Sequence, residues 1–152
     1  MRLLCDEMLG RLGGWLRAAG YDTAIAEGGS TDQALVAHCA AEGRILVTRD
    51  RHLARLAAGA VPVVRLGEGG LEAQARALRE ALGIDWLHAP FTRCLLDNAP
   101  LEPAPGEVAA LVPPASRAAG GPLQRCPECD RLYWPGGHVR RMQARLAEWN
   151  RR

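Results

Sequence analysis

The sequence contains no lysine, and all 19 of its basic side chains are arginine. In a chain this rich in alanine and glycine, the absence of lysine indicates a bias in the coding sequence. An arginine is therefore not by itself evidence of function. The net charge is only +2. Residues 1–90 carry a slight excess of acidic side chains and residues 91–152 an excess of arginine, so the second segment is the better candidate to face a polyanion.

Long apolar runs are also missing. No uninterrupted stretch approaches the ~20 residues that a bilayer-spanning helix needs, and Asp6 and Glu7 interrupt the only apolar start that a signal peptide could use. The five cysteines are odd in number, and three of them cluster in a pattern typical of metal binding rather than of a disulfide framework. Cys5 and Cys39 lie in apolar segments and are expected in the core. We therefore expect a reducing, cytoplasmic setting without a membrane partner.

Hydrophobic residues make up 48% of the chain, enough for a packed core. Strand-like and helical segments alternate over the first part of the chain, with glycine-marked turns between them. Ser30 and Gln33 fit a capping box that would open the second helix. This alternation predicts an α/β fold, a parallel sheet flanked by helices. The predicted strands are residues 2–5, 21–26, 44–48 and 61–66, and the predicted helices are residues 7–19, 30–41, a short one after Asp50, and 71–82.

Beyond residue 90 the pattern changes. Residues 99–122 hold most of the prolines and are expected to be loop-rich, and a final helix is predicted from about residue 138 to 149. Between them, Cys126-Pro127-Glu128-Cys129 has the spacing of one half of a zinc-ribbon knuckle. Cys94-Leu95-Leu96-Asp97 has the same length upstream, with Asp97 where a fourth thiolate is expected. The sequence thus predicts a sheet domain over residues 1–90 and a small metal-stapled module with a terminal helix over residues 91–152.

Three carboxylates fall at corresponding places of the predicted sheet. Asp6 directly follows the first strand, Asp50 directly follows the third, and Asp32 lies in the first turn of the helix after the second. Ligands of open parallel sheets bind outside the carboxyl ends of the strands, and clustered carboxylates suit a hard cation such as Mg²⁺ or Mn²⁺. An alternative is that Asp6 and Asp50 cap helices and that Asp32 complements a helix dipole. The pattern leaves both interpretations open.

Several segments resemble the Mut7-C family, which is described as a PIN-like ribonuclease domain fused to a C-terminal zinc ribbon. They cover nearly the whole chain, in order. The segments are residues 5–22, residues 43–51, Arg93-Cys94-Leu95 with Asn98, Cys126-Pro127-Glu128-Cys129, Tyr133-Trp134 and Gly136-Gly137-His138.

The resemblance implies an endoribonuclease that hydrolyses phosphodiester bonds of single-stranded RNA, with Asp6, Asp32 and Asp50 holding Mg²⁺ or Mn²⁺ and an activated water attacking the phosphorus. It also implies a Zn²⁺ site in which Cys94, Cys126 and Cys129 are ligands. The family has cysteine at the position of Asp97. Asp97 is the favoured fourth ligand, His138 is the alternative, and a vacant site is the third option.

The roles of the basic and aromatic residues stay open at this point. Arg11, Arg17 and Arg49 are candidate phosphate contacts, and the alternative is a solvated helix face or an ion pair with the acids. Tyr133 and Trp134 fit either core packing or stacking on a base.

One competing function is a non-catalytic RNA-binding zinc-ribbon protein with a degenerate nuclease domain. The other is a phosphatase with Asp6 as nucleophile, and against it Met8 stands where such phosphatases usually carry a second aspartate.

Overall fold

The computed structural model describes residues 1–118 and 120–152. Its first part is a four-stranded parallel sheet with the strand order β2-β1-β3-β4. Helices connect successive strands, which confirms the predicted α/β architecture. The strands are β1 (Arg2–Cys5), β2 (Asp22–Ile25), β3 (Ile45–Thr48) and β4 (Val63–Arg65), and the helices are α1 (Gly10–Ala18), α2 (Asp32–Glu42), α3 (Arg51–Ala57) and α4 (Leu71–Leu82).

The strand order creates a topological switch point between β1 and β3. From β1 the chain passes through α1 to β2 on one side, and from β3 it passes through α3 to β4 on the other. The two connections leave the sheet in opposite directions, an arrangement that leaves room for a crevice at the carboxyl ends of these two central strands. Crevices of this kind are the usual ligand sites of open parallel sheets.

Both faces of the sheet are covered, as expected for parallel strands. Leu3 and Cys5 of β1 point to a core formed with α1 and α4, whereas Leu4 points to a second core formed with α2 and α3. Leu3 and Leu4 are both fully buried. Burial on this scale contributes roughly 2 kcal/mol for each leucine, so the period-two alternation of β1 fixes which helices lie on which face.

The second helix begins one residue later than the capping prediction. Thr31, not Ser30, is the N-cap of α2, and its hydroxyl accepts a hydrogen bond of 3.1 Å from the backbone N–H of Ala34. The Ser30 hydroxyl instead donates to the carbonyl of Glu27 within the preceding turn. Ser30 is therefore unavailable as a cap, and the predicted capping box is wrong.

The second part of the chain is a small antiparallel sheet with short helices. Its strand order is β5-β6-β7, and Cys94, Cys126 and Tyr133 form a small core beside it. The segment expected to be loop-rich also contains a 3₁₀ turn and a short helix. The elements are β5 (Glu102–Pro103), α5 (Pro114–Ala118), β6 (Gln124–Arg125), β7 (Leu132–Tyr133) and α6 (Gly137–Arg151).

The terminal helix α6 packs back onto the first sheet domain. Trp149 lies between Trp15 and Trp86, with ring centroids 5.0 Å apart in both pairs and edge-to-face geometry. Leu146 is fully buried in the same core. The boundary near residue 90 stays a prediction, and α6 belongs by its packing to the core of residues 1–90. Among the described helices, none has the length and apolar character needed to cross a bilayer.

The aromatic cluster generates a test of how much α6 stabilises the fold. Trp149→Ala is expected to lower the free energy of unfolding by about 3 kcal/mol or more, because it removes a 4% exposed ring from between two others. Urea denaturation followed by circular dichroism measures the change. Leu87→Ala is the control, since that side chain is 40% exposed. An equal effect of the two substitutions would show that α6 adds nothing to the core.

Candidate active site and metal centre

Asp6 and Asp50 lie on the two sides of the switch point and are joined through one hydroxyl. Thr48, the last residue of β3, is fully buried. Its Oγ1 donates to Oδ2 of Asp6 at 2.9 Å and accepts from the backbone N–H of Asp50 at 3.0 Å. One threonine therefore fixes the Asp6 carboxylate and the start of the loop that carries Asp50.

Asp6 is the less ordinary of the two acids. Its residue is only 8% exposed, and its side chain does not cap the 3₁₀ turn that follows. Within residues 1–118 and 120–152, no basic side chain forms an ion pair with it. A buried carboxylate costs free energy unless a partner compensates its charge. Capping therefore does not explain Asp6.

Asp50 and Asp32 do have other partners. Oδ1 of Asp50 caps α3 by accepting from the backbone N–H groups of His52 at 2.7 Å and Leu53 at 3.1 Å. The capping interpretation is thus correct for Asp50, although Oδ2 accepts no hydrogen bond from the described residues. Oδ2 of Asp32 lies 3.9 Å from Nε2 of His52. In the described part of the chain, the three acids do not form a compact group of ligand atoms, and only the cysteine cluster does.

Two of the three predicted phosphate contacts lie at the same edge of the sheet as these acids. Arg11 is exposed in the first turn of α1, just beyond Asp6. Arg49 follows β3, and its guanidinium forms an ion pair of 2.9 Å with the exposed carboxylate of Glu68. Both guanidinium groups can therefore be reached from solvent near the switch point.

Arg17 has a different role from the one predicted. It is 7% exposed and lies at the far end of α1, near the start of β2. It donates to the carbonyls of Thr23 at 2.8 Å, Leu95 at 3.0 Å and Leu96 at 2.9 Å. Burial lowers the pKa of this guanidinium. A phosphate contact would require these bonds to break, so the expectation for Arg17 is corrected to a structural role.

The two predicted knuckles have the same backbone geometry. In each, the residue after the last ligand position has a positive φ, 71° at Asn98 and 60° at Asp130. In each, that residue donates its N–H to the carbonyl of the first cysteine at 3.0 Å, and the first cysteine donates to a carbonyl five residues on, Ala99 or Arg131. Asp97 therefore occupies the position in the first knuckle that Cys129 occupies in the second.

The ligand atoms of the two knuckles come together. One donor atom from each of Cys94, Asp97, Cys126 and Cys129 lies within 4.8 Å of the others. The Cys94 and Cys129 Sγ atoms are 3.8 Å apart, too far for a disulfide bond of about 2.05 Å. That distance matches the edge of a tetrahedron with metal–sulfur bonds of about 2.3 Å. The group can hold a metal ion, and it includes Asp97 but not His138.

The surroundings of the thiols favour a bound cation. Burial raises the pKa of Cys126 to about 12, and the nearby Asp97 carboxylate contributes in the same direction. Burial opposes ionisation of Cys94 too, but hydrogen bonds from the Tyr133 hydroxyl and from backbone N–H groups bring its pKa below the usual value. Tyr133 Oη lies 3.1 Å from Cys94 Sγ. Ionising every thiol beside a carboxylate without a cation is unfavourable, so this donor set fits a metal.

A polar network that the sequence did not suggest seats the first knuckle on the sheet domain. Asn98 donates from Nδ2 to Oδ1 of Asp22 at 2.7 Å and accepts from the N–H of Thr23 at 2.9 Å. Arg44 donates to the same Asp22 oxygen at 2.7 Å. Although burial opposes ionisation of Asp22, these hydrogen bonds hold its pKa well below the usual range. A sequence feature that could have indicated this network is the acid Asp22 at the start of β2 together with the base Arg44 just before β3.

These contacts place the metal centre and the acids at opposite edges of the sheet. Asp22 begins β2 and Arg44 precedes β3, so the first knuckle lies at the strand starts. Asp6 and Asp50 follow the strand ends. The candidate metal site is therefore separate from the candidate active site, and its position suits a structural role.

The comparisons with known proteins agree with this architecture. The family model described as Mut7-C RNAse domain matches residues 1–146. No curated protein and no solved structure matches the chain. The family match spans both the acid-bearing sheet and the cysteine knuckles, and it indicates a ribonuclease-like function. The chain belongs to the Mut7-C RNAse domain family.

Proposed function

We propose that this protein is a divalent-metal-dependent endoribonuclease that hydrolyses phosphodiester bonds of single-stranded RNA at the switch point of its sheet. Asp6 is the observation that carries the proposal. It is a nearly buried carboxylate at a strand end, oriented by Thr48 and without a basic partner among the described residues. A buried carboxylate without a partner destabilises the fold, and binding of a cation would compensate its charge.

The donors present suit Mg²⁺ or Mn²⁺. Asp6, Asp32 and Asp50 offer only carboxylate oxygens, which hard cations prefer. Asp6 and Asp50 each have one oxygen that no hydrogen bond within the described residues occupies. A divalent cation bound by these acids would neutralise charge at the phosphate and make a bound water more acidic. To bind the same cation, the Asp32 carboxylate would have to move away from His52 and toward the other two acids.

The remaining residues at this edge bind and position. Thr48 holds the Asp6 carboxylate through Oδ2, which leaves Oδ1 available to a cation. Arg11 and Arg49 contact phosphates on either side of the cleaved bond. Arg49 exchanges the exposed Glu68 carboxylate for a phosphate, an exchange that costs little because a surface ion pair contributes about 0–1 kcal/mol.

We also infer that the metal of the knuckles is Zn²⁺. Four donors that include three cysteines resemble the Cys₄ and Cys₃His sets of structural zinc sites, and aspartate can ligate zinc through oxygen. The module has a small apolar core, so the metal supplies much of its order.

The second candidate is a non-catalytic RNA-binding protein. It is favoured by the capping role of Asp50 and by the separation of the three acids. Metal-dependent turnover distinguishes the two functions.

The first prediction from the proposed function concerns catalysis. Asp6→Asn and Asp50→Asn are each expected to reduce the rate of Mn²⁺- or Mg²⁺-dependent cleavage of a labelled single-stranded RNA by at least about 100-fold. Asn caps helices as well as Asp does, so Asp50→Asn removes charge while keeping the cap. Asp85→Asn, a change away from the strand ends, is the control and retains full activity. Near-normal activity of Asp50→Asn would make this site assignment wrong, and wild-type protein inactive with every divalent cation would favour the binding protein.

The second prediction concerns the arginines. Arg11→Ala and Arg49→Ala are expected to weaken RNA binding and to reduce the slope of log affinity against log salt by about one each. Arg55→Ala, an exposed change in the last turn of α3, is the control. Arg17→Ala is expected to destabilise the protein instead, because it leaves three carbonyls without their donor. Unchanged slopes for Arg11→Ala and Arg49→Ala would mean that RNA binds elsewhere.

The third prediction concerns the metal centre. Protein purified without chelator is expected to hold about one equivalent of zinc by elemental analysis. Asp97→Ala weakens retention in a competition assay, Asp97→Cys strengthens it because thiolate is the softer ligand, and His138→Ala leaves it unchanged. Zinc lost from His138→Ala but kept by Asp97→Ala would assign the fourth ligand to the histidine. Less than about a tenth of an equivalent in the wild type would mean that the site is not a zinc site.

A further inference from the structure

Trp134 is a large aromatic side chain that lies outside the apolar clusters formed by the described residues. Its neighbour Tyr133 is 8% exposed and packs with Cys94 and Cys126. Trp134 is only half-buried and belongs to none of the three apolar clusters formed by the described residues. The two interpretations of this aromatic pair therefore separate, since Tyr133 is core and Trp134 remains to be explained.

Trp134 lines at least three cavities of the described structure, and two of them also border α6. Of these two, one has a volume of about 300 Å³ and the other about 360 Å³, and both are also lined by Phe91 and Val139. The first has mostly apolar walls, completed by Leu132 and Met142. A volume near 300 Å³ lies at the small end of the range for ligand sites, about 300–1,000 Å³. The cavity thus suits a flat ring of the size of a nucleobase, stacked on the indole.

The lining of the first cavity includes the guanidinium group of Arg131. His138 also lines it, and no carboxylate does among the described residues. Helix α6 also begins at this cavity, without a side-chain cap and without an acidic residue in its first turn. Arg140 and Arg141 follow directly in the sequence. Positive side chains are unfavourable at the positive end of a helix dipole, and a phosphate would relieve this.

Two glycines of the cavity lining pack closely against neighbouring side chains. A Cβ atom at Gly136 would lie 2.7 Å from Nε1 of Trp134, so any larger residue would displace the indole. A Cβ atom at Gly137 would lie 3.2 Å from Nη1 of Arg141, which shows that this guanidinium lies over the first turn of α6. An aromatic side chain, an apolar cavity and a guanidinium group therefore meet at one place.

We propose that the Trp134 cavity binds one nucleobase of single-stranded RNA, with the adjoining phosphate against Arg131 and the start of α6. The identity of the ligand rests on the proposed function, but this contact lies in the second module, apart from Asp6 and Asp50. Base stacking on an aromatic side chain tolerates any base, whereas a duplex keeps its bases stacked inside. The site therefore selects single strands without selecting a sequence.

Binding of an RNA octamer of uridylate to Asp6→Asn protein tests the proposal, because this background prevents cleavage. Adding Trp134→Ala is expected to weaken binding by about 5- to 100-fold in fluorescence anisotropy. Trp134→Phe keeps most of the affinity, since a smaller ring still stacks. The control Leu111→Ala, a 73% exposed side chain of the same module, has no effect. Circular dichroism and zinc content verify that each variant is folded.

Tryptophan emission gives a second readout. The octamer is expected to quench the emission of the Asp6→Asn parent, and Trp134→Phe is expected to abolish the quenching while anisotropy still reports binding. An abasic octamer with the same phosphates neither quenches nor binds as tightly. Equal affinity for the normal and abasic octamers, or quenching that survives Trp134→Phe, would overturn the proposal and leave the cavity to a protein partner.

The two proposals can fail separately. Trp134-dependent binding of RNA by a wild-type protein without any cleavage activity would refute the nuclease and support the cavity. Metal-dependent cleavage together with Trp134-independent binding would support the nuclease and refute the cavity.

Discussion

The buried Arg17 guanidinium is the interaction on which the relation between the two parts of the chain depends. One of its hydrogen bonds goes to β2, and the others go to the carbonyls of Leu95 and Leu96 in the first knuckle. A buried charge is tolerated only where its donors are satisfied, so the guanidinium fixes the knuckle at one place on the sheet. Asn98 reinforces this attachment through Asp22. The small metal module thus gains a rigid base that its own core is too small to provide.

This attachment divides the sheet into two functional edges. The strand starts hold the knuckle, where Asp22 and Arg44 are neutralised by each other. The strand ends carry Asp6 with no basic partner in the described residues and Asp50 with one oxygen uncommitted. Asp22 at the strand starts is therefore used for stability, whereas Asp6 at the strand ends stays available to a ligand. This contrast, rather than the presence of acids as such, distinguishes a candidate active site from ordinary surface carboxylates.

Much of the fold follows from the sequence because its signals are local. The alternation of strands and helices, the C-terminal glycines of α2 and α4, and the pair of cysteine spacings all act within a few residues. The roles of Arg17 and Asn98 depend on partners more than 70 residues away, which no local pattern reports. Asn98 also needs a positive φ, a conformation that asparagine tolerates better than most residues. The cap at Thr31 was missed for a related reason, since the Ser30 hydroxyl is taken by the preceding turn.

An aspartate at position 97, where the other knuckle has a cysteine, leaves the total charge of the candidate metal site unchanged. Aspartate carries the same single negative charge as a thiolate, so three thiolates and Asp97 present the same total charge to a cation as four thiolates would. Its Oδ1 accepts from the N–H of Ala99 at 3.0 Å, so the turn itself orients the carboxylate. Burial opposes ionisation of Asp97, but this hydrogen bond, together with those from the Cys126, Cys129 and Cys94 side chains, lowers its pKa. What is lost is softness, and with it preference for zinc over harder ions. The knuckle backbone therefore determines where a fourth donor lies, and the side chain at position 97 determines how selectively the metal is held.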